Sequence, residues 1–153
     1  MGSLSTRTRN KQLDEIAEAL PQRTATLLRL FLTRSSVPVS RTEAGVLWAL
    51  AVRPRRITEL ACRERVTQPA ITLLVNRLAE RGWVERHSHP EDGRVVMVEL
   101  TPEGRKVHER LRAEYRALLH EDMATLPDAD VRTLARAIDV LDRLIEQLTG
   151  QEP

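Results

Sequence analysis

The chain has 153 residues, a length that indicates one domain with an appended part. Of these residues, 41% are hydrophobic and 30% are charged, which fits a soluble globular protein. Its single cysteine excludes an internal disulfide framework. No apolar run approaches the length of a membrane span and no secretory segment follows Met1, so we expect a cytoplasmic protein.

Charge is distributed unevenly along the chain. Residues 53–94 contain nine arginines against six acidic residues, a net charge of +3, whereas residues 120–153 contain three arginines against eight acidic residues, a net charge of −5. A basic segment attracts phosphates, so the middle of the chain is a candidate for binding nucleic acid. The acidic C-terminal segment repels phosphates, so we expect it to have a role other than binding nucleic acid. The alternative is that both segments are ordinary solvated surfaces.

The first predicted element is a helix. Residues 1–12 are polar and basic and predict a flexible N-terminus. Apolar residues then recur at helical spacing from Leu13 to Phe31, which predicts a helical segment within residues 13–39. Pro21 lies inside this segment and predicts a kink or two consecutive helices, because proline lacks the backbone donor.

Two helix-start signals follow. Ser40 and Glu43 form a capping box, which predicts a helix that ends at the basic linker Arg53-Pro54-Arg55-Arg56. Thr58 is predicted to cap a second, shorter helix. A turn around Arg65 then leads to the next helix.

The helix predicted from about Thr67 to Arg81 has two different faces. Its inward face has apolar residues at helical spacing: Ile71, Leu74, Val75 and Leu78. Its outward face has side chains of the types that hydrogen-bond base edges and phosphates: Gln68, Thr72, Asn76 and Arg77. The order of short helix, this helix and a hairpin predicts a winged helix in which this is the DNA-recognition helix.

Gly82 is predicted to end the recognition helix in a left-handed conformation, and the hairpin, or wing, follows it. Residues 83–88 and 95–100 read as two strands, joined by a turn at residues 90–93. Thr101 then caps a long helix that runs to about Met123. The predicted fold is mainly α with a small β-hairpin, an α+β winged helix-turn-helix joined to a helical dimerisation region.

The last helix carries an apolar seam whose residues alternate spacings of three and four: Val131, Leu134, Ile138, Leu141, Ile145 and Leu148. Such a seam is typical of a helix that packs on another helix. We interpret it as a homodimer interface, together with Leu13, Ile16 and Leu20 of the first helix. The alternative is a seam packed inside the monomer.

The wing contains three short motifs in order: Gly82-Trp83-Val84-Glu85-Arg86, Asp92-Gly93-Arg94 and Leu100-Thr101-Pro102-Glu103-Gly104. With the order of helices, they resemble the MarR family of bacterial transcriptional regulators. On this resemblance we expect a winged helix-turn-helix at residues 40–101, with the wing at about 83–100. We expect dimerisation helices at residues 13–39 and 102–149.

The resemblance implies that Arg94 enters the minor groove or grips phosphate, and that Asp92 orients the wing through an ion pair. A guanidinium on a narrow hairpin also suits the negative potential of the minor groove. The alternative is that both residues only stabilise the turn. Two positions depart from the family pattern. Leu73 contacts a thymine methyl or is buried, and a left-handed Arg65 would cost about 1–2 kcal/mol, so we expect another turn geometry there.

We therefore predict a repressor that binds a near-palindromic duplex as a homodimer. The predicted DNA contacts are Gln68, Pro69, Thr72, Leu73, Asn76, Arg77, Arg86, Asp92, Arg94, Arg55 and Arg56. For Arg55 and Arg56, and for Arg53 beside them, the alternative is a solvated linker. Another alternative for the whole chain is a winged-helix protein-interaction module that does not bind DNA.

The resemblance also implies release by a small anionic or phenolic ligand. Its candidate lining residues, each of which more often packs in a core or lies on the surface, are Phe31, Arg41, Trp48, His108 and Tyr115. A thiol-based redox regulator acting through Cys62 is an alternative, although we expect this cysteine to be buried. No phosphate-binding loop, nucleophile–base pair or metal-ligand set is visible, so we predict no enzyme activity, no cofactor and no metal.

Overall fold

The computed structural model describes residues 6–89 and 92–150. In this part of the chain the elements are α1 (Thr6–Arg34), α2 (Arg41–Val52), β1 (Arg55–Arg56), α3 (Ile57–Glu64), α4 (Gln68–Glu80), β2 (Val84–His89), β3 (Asp92–Leu100), α5 (Pro102–Met123) and α6 (Asp128–Thr149). The predicted fold class, mainly helical with a small sheet, is confirmed. The chain divides into two compact units, and the boundary between them follows Tyr115, within α5.

Helix α1 is longer than predicted. It begins at Thr6, so residues 6–12, for which a flexible segment was predicted, are helical, and residues 1–5 lie outside the described residues. Lys11 and Glu15 are one helical turn apart and form an ion pair of 3.7 Å, which favours helix in this polar stretch.

The helix also continues through Pro21, so the alternative of two consecutive helices is wrong. Proline removes one backbone donor, and the turns on either side keep their own hydrogen bonds. The Thr24 hydroxyl donates to the Leu20 carbonyl oxygen at 2.9 Å beside the proline. None of the residues of α1 is buried.

The predicted capping box at the start of α2 is confirmed. The backbone amide of Glu43 donates to Ser40 Oγ at 3.2 Å, and the amide of Ser40 donates to Glu43 Oε2 at 2.7 Å. Helices α2, α3 and α4 then bury one apolar core against the sheet and α5. Its members are Val37, Val46, Leu47, Ala49, Leu50, Ile57, Leu60, Ala61, Ile71, Leu74, Val75, Leu78, Val84, Val98, Leu100 and Leu111.

The sheet has three strands where two were predicted, in the order β1-β3-β2. Arg55 pairs with Val98 and Arg56 with Met97, so the predicted linker is an edge strand. Pairing satisfies backbone groups that a free linker would leave to water. Strand β3 begins at Asp92, so Asp92-Gly93 belongs to a strand and not to the predicted turn, while Pro90 and Glu91 lie outside the described residues.

The start of α3 differs from the prediction. Its N-cap is Arg56, not Thr58, and the Arg56 amide donates to Glu59 Oε2 at 2.8 Å. Arg56 is the last residue of β1 and has extended dihedral angles (φ −71°, ψ 152°). The helix therefore starts directly after the strand, two residues earlier than predicted.

Helix α3 ends at a left-handed Arg65 (φ 52°, ψ 45°), so the expected alternative geometry is wrong. The Arg65 amide donates to the Cys62 carbonyl oxygen and the Val66 amide to that of Ala61, both at 3.1 Å. These bonds satisfy the last carbonyls of the helix and offset the steric cost of about 1–2 kcal/mol. Gly82 ends α4 with a similar conformation (φ 72°), as predicted.

Glu114 of α5 holds the segment between α1 and α2. Its Oε2 accepts from Ser35 Oγ at 2.7 Å and from the Ser36 amide at 3.0 Å. Its Oε1 accepts from Ser36 Oγ and from Arg110 Nε, the latter at 3.2 Å. Hydrogen bonds from Ser36 and Ser35 lower the pKa of the Glu114 carboxyl to about 2. The carboxylate therefore keeps this contact charged at neutral pH.

A junction joins the end of α4, the base of the wing and the start of α5. Thr101 Oγ1 donates to the Gly82 carbonyl oxygen at 2.6 Å and accepts from the Gly104 amide at 3.0 Å. The Thr101 amide donates to the Trp83 carbonyl oxygen at 3.1 Å. Gly104 is buried, and a β-carbon at this position would collide with that same carbonyl oxygen. Only glycine fits where the two backbones approach so closely.

We predict that Gly104→Ala lowers the free energy of unfolding by about 1–3 kcal/mol, because the Trp83 carbonyl cannot move without displacing β2. Urea denaturation followed by circular dichroism measures this change. The matched control is Gly45→Ala, whose added methyl group meets the Glu64 carboxyl, the mobile end of a side chain. The control should be clearly less destabilised, and equal stability of Gly104→Ala and wild type would contradict the prediction.

Candidate nucleic-acid interface

Helix α4 has the two faces that the sequence predicts. Thr67 is its N-cap, with Oγ1 accepting from the Ala70 amide at 3.4 Å. The inward residues Ile71, Leu74, Val75 and Leu78 are buried in the core. The outward residues lie on a shallow surface formed by Gln68, Pro69, Thr72, Leu73 and Asn76. This face is available to a partner, and its contact with DNA stays a prediction.

Leu73 lies in the middle of that outward face. Its side chain is 59% exposed, so the alternative that it is buried is wrong. An exposed apolar side chain surrounded by polar ones can contact a thymine methyl without a desolvation penalty.

Asn76 of α4 and Arg86 of β2 are joined by a hydrogen bond. Arg86 Nη1 donates to Asn76 Oδ1 at 2.6 Å, which connects the recognition helix to the wing. Both residues are predicted DNA contacts, but their pairing could not be predicted, because they lie ten residues apart on different elements. The turn at Gly82 brings them together.

A cleft of about 400 Å³ lies between the start of α3, the start of α4 and the wing. Its lining residues are Arg56, Ile57, Thr58, Gln68, Thr72, Arg86, Val95 and Val96. Arg56 and Arg86 thus lie in one groove beside the polar face of α4. Thr58 and the two valines were not predicted as part of this surface, since nothing in the sequence indicates that the basic linker pairs with β3.

Arg55 has a different environment from Arg56. Its Nε donates to the Ala49 carbonyl oxygen at 3.2 Å, and the side chain is half-buried. Burial, followed by the neighbouring charges of Arg53 and Arg63, lowers the pKa of the Arg55 guanidinium. The alternative of a solvated linker is wrong here, because Arg55 anchors β1 to the end of α2. Arg56 is exposed, so it is the better candidate for a phosphate contact.

At the wing tip, Asp92 and Arg94 lie in the first part of β3, with Asp92 opposite His89. The Arg94 side chain is outside the described part of the structure. The roles that the family resemblance implies for these two residues stay predictions.

Four of the five predicted ligand residues form one aromatic cluster. The Phe31 and Tyr115 rings are stacked with centroids 5.0 Å apart, and the Trp48 ring meets His108 edge-on at 4.6 Å. His108 Nε2 and the Tyr115 hydroxyl are buried, with no hydrogen-bond partner among the described residues. Burial lowers the pKa of His108 and raises that of Tyr115.

The fifth residue, Arg41, lines an apolar cleft of about 570 Å³ elsewhere in the same unit. The cleft lies along α1 and is lined by Thr24, Ala25, Leu28, Arg29, Leu32, Thr33 and Arg41. The structure therefore does not bring Arg41 together with the aromatic cluster.

Cys62 is exposed on α3, so the expectation that it is buried is wrong. It follows the buried residues Leu60 and Ala61 in this short helix. Among the described residues, no group of three or more histidine, cysteine or acidic side chains is placed to hold a metal ion. In the same part of the chain, no helix is both long and apolar enough to cross a membrane.

The apolar seam of α6 is exposed. None of the residues of α6 is buried, and Ile138, Ile145 and Leu148 are 57%, 55% and 59% exposed. Leu13 and Ile16 of α1 are likewise exposed. The homodimer interface that the sequence predicts at these residues stays a prediction.

A comparison with protein families matches residues 39–96 to the MarR family. A helix-turn-helix transcriptional regulator of Mycobacterium bovis is 34% identical over 113 residues, which are 73% of this chain and 79% of that protein. The chain belongs to the MarR family. The transcriptional repressor IacR of Pseudomonas putida is 33% identical over 67% of this chain and 62% of its own length.

Solved structures show the same architecture. The apo form of Escherichia coli MarR matches with a TM-score of 0.70 and 26% identity, covering 84% of this chain and 95% of that one. The regulator BldR of Sulfolobus solfataricus matches with a TM-score of 0.64 and 27% identity, covering 92% and 99%. MarR-family proteins are DNA-binding transcriptional regulators and not enzymes, and this chain is one of them.

Proposed function

We propose that this protein is a dimeric repressor that binds a near-palindromic operator and is released from it by a small anionic or phenolic ligand. The observation that carries the proposal is the exposed polar face of α4, which lies beside a groove containing Arg56 and Arg86. The direction of regulation follows IacR, a relative described as a transcriptional repressor.

In this proposal α4 enters the major groove. Gln68, Thr72 and Asn76 face the base edges, and Leu73 faces a thymine methyl. The phosphates on either side are contacted by Arg56, Arg77 and Arg86, while Arg94 reaches the minor groove from the wing. In a dimer the two recognition helices lie about 34–36 Å apart, one turn of the duplex.

We predict that Arg56→Ala and Arg94→Ala each weaken duplex binding, and that each lowers the slope of log affinity against log salt by about one, because one counterion fewer is released. Fluorescence anisotropy across a salt series measures both quantities. Arg136→Ala on α6 is the matched control and should leave the slope unchanged.

Unchanged affinity of a folded Arg94→Ala protein would remove the wing from the interface. If the wild-type protein shows no salt-dependent binding to any duplex, the interaction-module alternative replaces the proposal.

The dimer is supported by exposed apolar side chains at the two ends of the chain. In a monomer, α6 would leave Ile138, Ile145 and Leu148 in water, and α1 would leave Leu13 and Ile16 in water. A second copy of this chain carries the same apolar seam on its own α6. Helices whose apolar residues alternate spacings of three and four pack against one another, so we propose that the second copy covers the seam.

We predict that Ile138→Glu raises the dimer dissociation constant about a hundredfold or more, because it places an unpaired carboxylate in the seam. Sedimentation velocity over a concentration series measures the constant. Arg136→Glu introduces the same side chain on the other side of α6 and should leave the dimer intact. A wild-type protein that is monomeric at micromolar concentration would contradict the dimer.

The apolar cleft along α1 is the better candidate for the effector. Its volume of about 570 Å³ falls within the range of small-molecule sites, and its apolar walls carry two cations, Arg29 and Arg41. An aromatic carboxylate would bury its ring against Leu28 and Leu32 and pair its charge with a guanidinium.

We predict that salicylate, used as the probe, binds the wild-type protein and weakens its binding to DNA. Arg41→Gln should weaken salicylate binding about tenfold or more through the lost charge pair, as measured by isothermal titration calorimetry. Arg23→Gln, an exposed position on α1 outside the cleft, is the control. Loss of binding in Tyr115→Phe but not in Arg41→Gln would move the site to the aromatic cluster.

A further inference from the structure

We propose that Arg86 determines which base Asn76 reads, so that Asn76 selects guanine and not adenine in each half-site. The observation is the hydrogen bond from Arg86 Nη1 to Asn76 Oδ1 at 2.6 Å. This inference rests on the proposed function, since it assigns a base preference to the same DNA-binding surface.

The chemistry of the pair decides how the Asn76 amide is turned. A guanidinium has donors and no acceptor, so the amide atom that faces Arg86 is the carbonyl oxygen. The hydrogen bond is charge-assisted and short, which makes the reverse orientation unfavourable. The amide NH₂ of Asn76 is therefore the end that is left for a base.

An asparagine with both ends available reads adenine, by accepting from N6 and donating to N7. With its oxygen held toward Arg86, Asn76 presents its NH₂ donors to the base. Guanine presents two acceptors, N7 and O6, in the major groove, whereas adenine places its N6 donor where an acceptor is needed. The pairing therefore converts an adenine-reading side chain into a guanine-reading one.

Both partners stand on well-supported elements. Asn76 lies on α4 next to Val75, which is fully buried. Arg86 lies on β2, in register with the buried Val98 of β3. The two side chains themselves are exposed, so water competes with their hydrogen bond in the free protein. In the groove water is largely displaced and the bond is stronger, so the orientation holds when the base is read.

The competing interpretation is that Arg86 only binds a phosphate. A phosphate contact carries no sequence information, so its loss weakens binding to all sequences equally. Loss of an orienting residue instead changes the preference at one base pair per half-site. The two interpretations thus differ in selectivity as well as in affinity.

The test is binding-site selection on random duplexes, carried out with the full-length wild-type protein, Arg86→Met and Asn76→Asp. Wild type should select guanine at one position of each half-site. Arg86→Met keeps an apolar stem and frees the amide, so the ratio of adenine to guanine at that position should rise about tenfold or more. Asn76→Asp keeps the contact with Arg86 but has no donor, so selection of guanine should be lost.

Arg56→Met is the matched control, because it removes an arginine from the same groove without touching Asn76. It should weaken binding with no change in the preferred base. Low salt restores enough affinity to read the preferences of all variants, and circular dichroism checks their folding.

If Arg86→Met keeps the guanine preference and weakens all sequences alike, the inference is overturned while DNA binding stands. Selection of adenine by the wild type at that position also overturns it. A wild-type protein that enriches no sequence at all overturns the proposed function itself, which is a separate result.

Discussion

The contact between Thr101, Gly104 and the backbone at Gly82-Trp83 is the constraint on which the winged helix depends. The end of α4, the first strand of the wing and the start of α5 share hydrogen bonds through Thr101 Oγ1 and the Thr101 amide. A backbone approach this close leaves no room for a β-carbon at Gly104. Because α4 and β2 leave this point in fixed directions, Asn76, four residues before the end of α4, meets Arg86, the third residue of β2.

The arginines of the basic middle segment serve two purposes that net charge does not distinguish. Arg81 lies 3.7 Å from the buried Glu43, donates to the Pro38 carbonyl oxygen at 3.3 Å and covers the Trp83 ring, so it ties α4 to the start of α2. Arg55 is bound to the end of α2. Arg56 and Arg86 face the groove. In the proposed complex with DNA, the outward arginines supply the attractive potential, while the inward ones hold the scaffold that presents them.

The apolar residues are divided in a similar way. Those of α2, α3 and α4 are buried together in the core, whereas those of α6 remain in contact with solvent. Periodicity predicts an apolar face in both cases, because it depends on helix geometry alone. Which surface covers that face depends on the rest of the fold and, in the proposed dimer, on a second molecule that covers α6.

The sequence by itself determined the features that arise from neighbouring residues: the capping box of Ser40 and Glu43, the glycine end of α4 and the two faces of the recognition helix. These depend on interactions within one or two helical turns, so a local pattern predicts them. Only the tertiary structure decided that Arg55 and Arg56 form a third strand, that Arg65 is left-handed and that Arg86 holds Asn76. Each of these features depends on a partner residue that only folding brings close. The spacing of residues along the sequence does not show which residues come into contact.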